Sequence, residues 1–223
     1  MSSLKEEAVM DTLRYQLAEE CARQQLEGKA PSAATLRLLR RVANSELCCR
    51  QRLFFFTDLS RALPSISRAL EESLLRRPGW LTLESTPGSA PVGLGPYPAA
   101  ALLFNGIWFF LQAHSPALKL SLIPWADGFF LRMSGAGALS PVTIAPGSDA
   151  SLTLGTLTHL TALAGGRFFT AAGRQSLSLA FFLPACSGKD PGFYLPAQLV
   201  ADRFGPLHLF LAGYTVPPDW EEK

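Results

Sequence analysis

The chain has 223 residues, of which 48% are hydrophobic and 17% are charged, and its formal net charge is +2. This length holds one domain of ordinary size with a smaller element beside it, and the hydrophobic content is ample for a core. A charge so close to zero gives no reason to expect binding to nucleic acid or to an anionic membrane surface. Composition therefore favours a globular protein whose partners are neither nucleic acids nor anionic membranes.

Cysteine usage and the N-terminus predict a cytoplasmic protein. The four cysteines (Cys21, Cys48, Cys49 and Cys186) form no Cys-x-x-Cys pair, and two of them are adjacent. This spacing favours reduced, buried thiols over a disulfide framework or a zinc site. Residues 1–7 contain no apolar stretch after their basic residue, so we expect no signal peptide.

Two amphipathic helices are predicted at the start of the chain. Apolar residues recur at helical spacing from Leu4 to Cys21, and Gly28 ends this helix. A turn over residues 29–32 leads to a second helix, whose apolar seam steps by three and four residues as in a coiled coil: Leu36, Leu39, Ala43, Leu47, Arg50 and Phe54. The other faces of this helix carry Arg37, Arg40, Arg41 and Glu46, and the arginines are interpreted as a solvated face. The two helices form an antiparallel hairpin, and its apolar surface predicts a homodimer through a second copy.

Helices and strands alternate after the hairpin. The predicted elements are a helix over 59–77 that Asp58 caps and Pro64 interrupts, a strand at 80–84, a Gly/Pro-rich loop at 86–98, a helix at 99–115, strands at 118–123 and 128–133, a second Gly/Pro-rich loop at 134–148, a helix at 151–163, and strands at 167–170 and 176–183. The tail after Pro184 is less periodic. It contains a short predicted helix near 196–204 and an apolar run at 207–211.

The segment 99–115 is apolar almost all round, which predicts a buried helix. It is shorter than the ~20 residues of a membrane span, and it contains Asn105, Gly106 and Gln112, so we expect no span here. Prolines near both ends bound it. We interpret it as the central helix of an α/β sandwich, with the polar side chain of Asn105 in its middle.

Residues 103–107 (Leu-Phe-Asn-Gly-Ile) resemble the start of the N-box helix of sensor histidine kinases and of the wider gyrase-type ATPase superfamily. Other landmarks follow in the family's order: Asp58-Leu59 at the domain start, residues 164–166 at a His-Gly-Gly turn, and residues 181–184 at a terminal strand. The resemblance implies an α+β fold, namely a two-layer α/β sandwich of the histidine-kinase ATPase type preceded by an antiparallel helical hairpin. It divides the chain into a dimerisation-like hairpin (1–55), an ATPase-like sandwich (56–185) and a C-terminal extension (186–223).

The residues that carry the family's nucleotide chemistry are missing. Four residues after the first asparagine of its N-box, the family has a second asparagine that holds Mg²⁺; here Phe109 stands there and offers no oxygen ligand. Met133 replaces the carboxylate that accepts the adenine amino group, although Gly135 and Gly137 of the same motif remain. If the register of the helix is shifted, Asn105 is a surviving ligand; otherwise it is a buried amide that neighbouring backbone satisfies.

Two further losses concern the phosphates. The second glycine-rich box would fall on residues 151–154, which lack glycine, and residues 4–54 contain no histidine to phosphorylate. The resemblance therefore implies a degenerate histidine-kinase-like protein, a pseudokinase without catalytic residues, metal or cofactor, that binds an unknown signalling protein. Its vestigial nucleotide pocket would contain Asn105, Gly135 and Gly137. The alternative is a divergent ATP-binding histidine kinase or phosphotransferase of a two-component system, which would require ATP and Mg²⁺.

No other motif carries chemistry. The histidines (His114, His159 and His208) have no carboxylate or cysteine at metal-ligand spacing. Residues 135–140 faintly suggest a dinucleotide-binding turn, but no helix is predicted after them. The aromatic residues 108–110 are expected in the core, where they fill the space that a nucleotide would occupy.

Overall fold

The computed structural model describes residues 16, 17, 20, 23, 24, 27, 29, 31–49, 56–73, 79–136, 148–173, 176–186 and 205–214. Their helices and strands are, in chain order, α1 (Ala33–Cys49), β1 (Thr57–Asp58), α2 (Leu59–Ser73), β2 (Leu81–Ser85), β3 (Pro91–Val92), α3 (Pro96–Gln112), β4 (Ala117–Trp125), β5 (Gly128–Ala136), α4 (Asp149–Leu163), β6 (Arg167–Ala172), β7 (Ser176–Pro184) and α5 (Pro206–Phe210).

A five-stranded sheet in the order β2-β4-β5-β7-β6 forms one layer. Strand β2 pairs parallel to β4, and the other neighbours pair antiparallel. The inward-facing residues are apolar and pair across the strands: Leu120 lies opposite Met133, and Met133 lies opposite Leu179. Strands β1 and β3 form a separate two-stranded sheet. The predicted mixed α/β sandwich is confirmed.

The second layer consists of α2, α3 and α4. Helix α2 contacts β2, α4 contacts β6 and β7, and α3 packs beside α4. Every residue of α3 from Pro98 to Leu111 is buried, which confirms the predicted core helix. The helix starts at Pro96, earlier than predicted, because a proline in the first turn needs no backbone partner for its nitrogen.

Helices α1 and α5 pack on the outer side of this layer. Residues Leu39, Ala43 and Leu47 of α1 are buried in the same core cluster as α3, and the ring of Phe210 in α5 lies 6.3 Å from that of Phe104. This second cover explains why α3 is apolar all round: one face contacts the sheet and another contacts α1 and α5. Residues from all three predicted segments of the chain contribute to one core.

The same packing corrects the argument for a homodimer. A homodimer through this seam requires its apolar residues to be exposed in one chain, but Leu39, Ala43 and Leu47 are at most 1% exposed within a single chain. Dimerisation stays a prediction, now without this surface to support it. Residues 16, 17, 20, 23 and 24 are helical; the rest of the first hairpin helix lies outside the described residues.

Two local predictions differ from the structure. Helix α2 continues through Pro64 without interruption, and its end is described at Ser73. The apolar run at 207–211, for which no helix or strand is predicted, forms most of α5. The helix predicted near 196–204 and most of the second Gly/Pro-rich loop lie outside the described residues. The cap prediction is confirmed, since Asp58 Oδ1 accepts a hydrogen bond from the Ser60 amide at 3.0 Å.

Candidate functional site

The side chain of Asn105 turns from the middle of α3 towards α1. It is 2% exposed, and its Nδ2 donates to the Ala101 carbonyl oxygen at 2.7 Å and to Asn44 Oδ1 at 2.8 Å. The expected backbone partner is therefore present, together with a side-chain partner from α1 that periodicity alone did not indicate. Both protons of this buried amide are used, as burial requires.

A small cleft opens beside this pair, between α1, α3, α4 and α5. Its volume is about 60 Å³. The residues that line it are Arg37, Arg40, Arg41, Asn44, Asn105, Trp108, Asp149, Leu152, Thr153, Thr156 and Phe210. Pockets that enclose drug-sized ligands measure roughly 300–1,000 Å³, so the cleft accommodates only a small group.

Three arginines of α1 converge on one carboxylate at the start of α4. Asp149 Oδ2 accepts hydrogen bonds from Arg37 Nε at 3.1 Å and from Arg40 Nη2 at 3.0 Å, and Arg41 Nη2 lies 4.0 Å from Oδ1. The interpretation of these residues as a solvated face is wrong for Arg40, whose side chain is only 16% exposed. Glu46, which the sequence places on a face other than the seam, is also buried.

Arg40 stacks on the indole of Trp108, with its guanidinium carbon 4.3 Å from the ring centroid. This is a cation–π contact within the chain. Burial lowers the pKa of Arg40, Arg37 and Arg41 lower it further, and Asp149 partly offsets these effects. Trp108 is 3% exposed, and its Nε1–H has no hydrogen-bond acceptor among the described atoms.

The other residues of the predicted nucleotide pocket lie away from this cleft. The Cα of Gly106 faces the sheet so closely that a Cβ there would lie 2.9 Å from Met133 Cε. Gly135 packs against the end of α3, where a Cβ would meet Phe110 Cδ1 at 2.9 Å. Neither Met133 nor Gly135 lines the cleft, and Gly137 lies outside the described residues. A pocket of Asn105, Gly135 and Gly137 stays a prediction.

The two residues that match the asparagines of the family's N-box, Asn105 and Phe109, differ in whether they line the cleft. Asn105 reaches the cleft, whereas Phe109 is buried and is not part of the lining.

His114 and His159 are exposed. In the part of the chain that the structure describes, no group of three or more histidine, cysteine or acidic side chains could hold a metal ion. None of the described helices combines the length and hydropathy that crossing a bilayer requires.

A cluster of aromatic rings covers the outer face of the sheet. The ring of Phe130 lies 6.0 Å from Trp125, 5.4 Å from Phe182 and 6.3 Å from Phe169. Trp125 is 62% and Phe169 48% exposed. Cross-strand pairing places Arg167 beside Phe182 on this face. We call these four rings the outer aromatic cluster.

Sequence reasoning missed Asn44 and Asp149. Asp149 lies more than a hundred positions from the arginines it binds, and it precedes the helix predicted at 151–163, whereas the structure places it in the first turn of α4. Asn44 lies on the polar side of the α1 seam and carries no motif. Neither contact could be inferred without knowing that α1 folds onto its own sandwich.

Solved structures of histidine kinases have folds similar to this one. The histidine kinase AdeS of Acinetobacter baumannii is 11% identical over 77% of this chain and 95% of its own, with a TM-score of 0.44. The histidine kinase domain of the Escherichia coli osmosensor EnvZ is 15% identical over 65% of this chain and 96% of its own, with a TM-score of 0.47. A bacterial phosphotransferase is 15% identical over 81% of this chain and 97% of its own, with a TM-score of 0.47.

No protein-family model matches the sequence, and no curated protein matches it either. At the identities and TM-scores given above, the structural similarities carry no conclusion about activity, substrate or partner. The contacts of the chain's own residues therefore carry the functional argument.

Proposed function

We propose that the chain is a catalytically inert, histidine-kinase-like protein of the cytoplasm that acts in signal transduction by binding another protein. One observation carries the proposal. Helices α1 and α5 cover the face of α3 that holds Asn105, and the space left beside this residue is about 60 Å³. A nucleotide requires several times this volume, so α1 would have to leave before ATP could reach Asn105.

The chemistry of the core supports the same function. Met133, on strand β5, stands where the family has its adenine-binding carboxylate. Its side chain is fully buried against Gly106 of α3. A thioether at this place is only a weak acceptor and cannot replace a carboxylate. Phe109 is buried as well, and a benzyl group does not bind Mg²⁺.

The outer aromatic cluster supports binding of a protein. Exposed apolar patches rimmed by polar residues are typical of interaction sites. Two exposed arginines, Arg132 and Arg167, lie next to the rings on the same face. The partner surface that complements this patch is apolar at its centre and carries carboxylates at its rim.

Calorimetric titration with Mg-ATP tests the proposal. We expect no binding tighter than about millimolar, because each lost hydrogen bond to a charged group is worth ~1.5–3 kcal/mol. Met133→Asp should not restore binding and should destabilise the fold, because it puts a carboxylate into an apolar site. A micromolar dissociation constant for the unmodified protein would instead establish the alternative, a divergent ATP-binding kinase or phosphotransferase.

Phosphorylation gives a second, independent test. Since residues 4–54 contain no histidine, incubation with ATP and with active histidine kinases should leave the hairpin without phosphohistidine. Mass spectrometry under neutral conditions detects this acid-labile group. Stoichiometric phosphate on His114, His159 or His208 would overturn the proposal, because it would make the chain a phosphotransfer protein.

A further inference from the structure

We propose that the cleft between α1 and α4 is a binding site for a phosphate group, either free or as a monoester. The proposal goes beyond the proposed function and does not depend on it. It concerns arginines of α1 and the first turn of α4, and it requires no nucleotide. The residues that carry it are Arg37, Arg40, Arg41, Trp108 and Asp149.

The charge of the cleft favours an anion. Its lining contains three guanidinium groups and only one carboxylate, that of Asp149, which leaves two formal positive charges. Asp149 already shows how an anion binds here, because its Oδ2 lies 3.0 Å from Arg40 Nη2 and 3.1 Å from Arg37 Nε. Guanidinium groups bind phosphate in the same way as carboxylate, often through two parallel hydrogen bonds. A dianionic phosphate would neutralise the excess charge.

A second observation concerns Trp108, which holds Arg40 at the cleft. The indole Nε1–H of Trp108 is buried and has no partner among the described atoms, although buried donors are nearly always hydrogen-bonded. Trp108 lines the same cleft and holds the guanidinium of Arg40 against its ring at 4.3 Å. Guanidinium and indole groups only donate. The three guanidinium groups of the lining have more donors than the single carboxylate of Asp149 uses, and a ligand rich in acceptor oxygens would satisfy them.

The volume restricts the ligand to a small group. About 60 Å³ is a small fraction of the roughly 300–1,000 Å³ of pockets that enclose drug-sized ligands. A tetrahedral oxyanion fits this space, whereas a nucleoside does not. The cleft opens to solvent along Arg37 and Arg41, whose side chains are 56% and 58% exposed. A phosphorylated side chain could enter on that side as well as free phosphate.

Calorimetric titration at low ionic strength tests the site in the full chain. The two probes are inorganic phosphate and a short phosphoserine peptide, with the unphosphorylated peptide as reference. We expect Arg41→Gln to weaken binding about tenfold or more, because it removes a charge-assisted contact. Arg132→Gln is the matched control, since this exposed arginine lies on the outer face of the sheet, and it should leave the affinity unchanged.

Asp149→Asn separates an anion site from a merely structural ion pair. If phosphate competes with this carboxylate for the arginines, removing the charge should tighten phosphate binding several-fold. A structural role alone would leave phosphate binding absent or weaker. Because the variant also loses ion pairs, thermal unfolding with and without phosphate is recorded beside it; phosphate should raise the melting temperature of the folded variant.

The two probes distinguish the source of the phosphate group. Equal affinities indicate a site for free phosphate, and tighter binding of the phosphopeptide indicates a phosphorylated partner. NMR gives a direct readout. The indole N–H signal of Trp108 is assigned by its absence from the spectrum of Trp108→Phe. In the unmodified protein this signal should shift on titration with phosphate. Absence of heat with both probes, or equal losses in Arg41→Gln and Arg132→Gln, would overturn the proposal.

Discussion

Asn105 Nδ2 lies 2.8 Å from Asn44 Oδ1 and donates a hydrogen bond to it, which joins the centre of α3 to α1. The two residues are 61 positions apart, and the bond lies beside the cleft that the arginines of α1 line. Apart from this bond and the stacking of Arg40 on Trp108, the residues by which α1 covers the core are apolar, among them Leu39, Ala43 and Leu47. Because Asn105 is 2% exposed, loss of its partner should be measurable as a loss of stability.

A double-mutant cycle measures this bond. Asn44→Ala and Asn105→Ala each remove one partner, and we expect each to lower the free energy of unfolding by about 1–3 kcal/mol because a buried polar group loses its partner. The double mutant should lose less than the two single losses together, by at least ~0.5 kcal/mol. Urea denaturation provides the values. Strict additivity would mean that the two side chains do not interact in solution.

Neighbouring leucines of α1 test whether this helix packs on its own sandwich. Leu39 is 1% exposed and Leu38 is 48% exposed. Leu39→Ala should cost about 2–5 kcal/mol, as truncations of buried leucines do, and Leu38→Ala should change stability by less than ~0.5 kcal/mol. Urea unfolding of both variants at several protein concentrations gives the comparison.

The same pair of variants reports on the homodimer. Because Leu39 contacts the core of its own chain, its truncation should lower stability without a change in the mass measured by light scattering. A dimer that dissociates in Leu39→Ala but not in Leu38→Ala would restore the interpretation of the seam as a surface between two copies. In that case the unfolding midpoint of the unmodified protein should also rise with its concentration.

The sequence was sufficient to predict the elements because their signals are local. Alternation of apolar residues marks β4, β5 and β7, and the Gly165-Gly166 pair ends α4, with Gly165 at a φ of 72°. The all-round apolarity of α3 correctly predicted burial. It did not reveal what buries the outer side, because periodicity shows that a face is covered but not by which segment.

The cleft illustrates the same limit at the level of single residues. Arg40 lies far from Asp149 and Trp108 in the sequence, yet it contacts both of them in the fold. Such contacts arise from the docking of α1 on α3 and α4. The apolar seam of α1 could pack equally well on a second copy of the chain or on its own sandwich. The sequence pattern alone therefore could not decide between these two packing partners.

Asp58 gives a prediction about pH. Burial on its own would raise the pKa of this carboxyl group, but hydrogen bonds from Ser60, Ala90 and Ser89 outweigh burial and lower the pKa below its usual 3.8. A group whose pKa is lower in the folded state contributes stability above its unfolded pKa. That contribution should be lost as the pH falls below about 3.8 towards the folded pKa.

Asp58→Asn checks this assignment. The variant should be less stable by about 1–3 kcal/mol at neutral pH, and its difference from the unmodified protein should shrink as the pH falls below about 4. Glu84→Gln is the control, since Glu84 pairs with Lys119 in an exposed salt bridge and contributes less than ~1 kcal/mol. Urea midpoints across this pH range test both. A difference independent of pH would show that Asp58 carries no shifted titration.

Two helical glycines provide a test of the packing between α3 and the sheet. A methyl group at Gly106 would overlap the end of the Met133 side chain, whereas a methyl group at Gly155 in α4 would meet no atom within 4 Å. Alanine is the better helix former by ~0.8–1.0 kcal/mol. Gly155→Ala should therefore stabilise the protein by about this amount.

Gly106→Ala should instead destabilise it by about 1–3 kcal/mol, because overpacking against buried Met133 outweighs the gain in helix propensity. Combining Gly106→Ala with Met133→Ala should relieve the overlap. The free energy of unfolding of the double variant should therefore be about 1 kcal/mol higher than the two single losses together predict. Thermal and urea unfolding of the four variants and the unmodified protein give these values. If Gly106→Ala stabilised the protein as much as Gly155→Ala, α3 would not lie as close to β5 as the contact with Met133 requires.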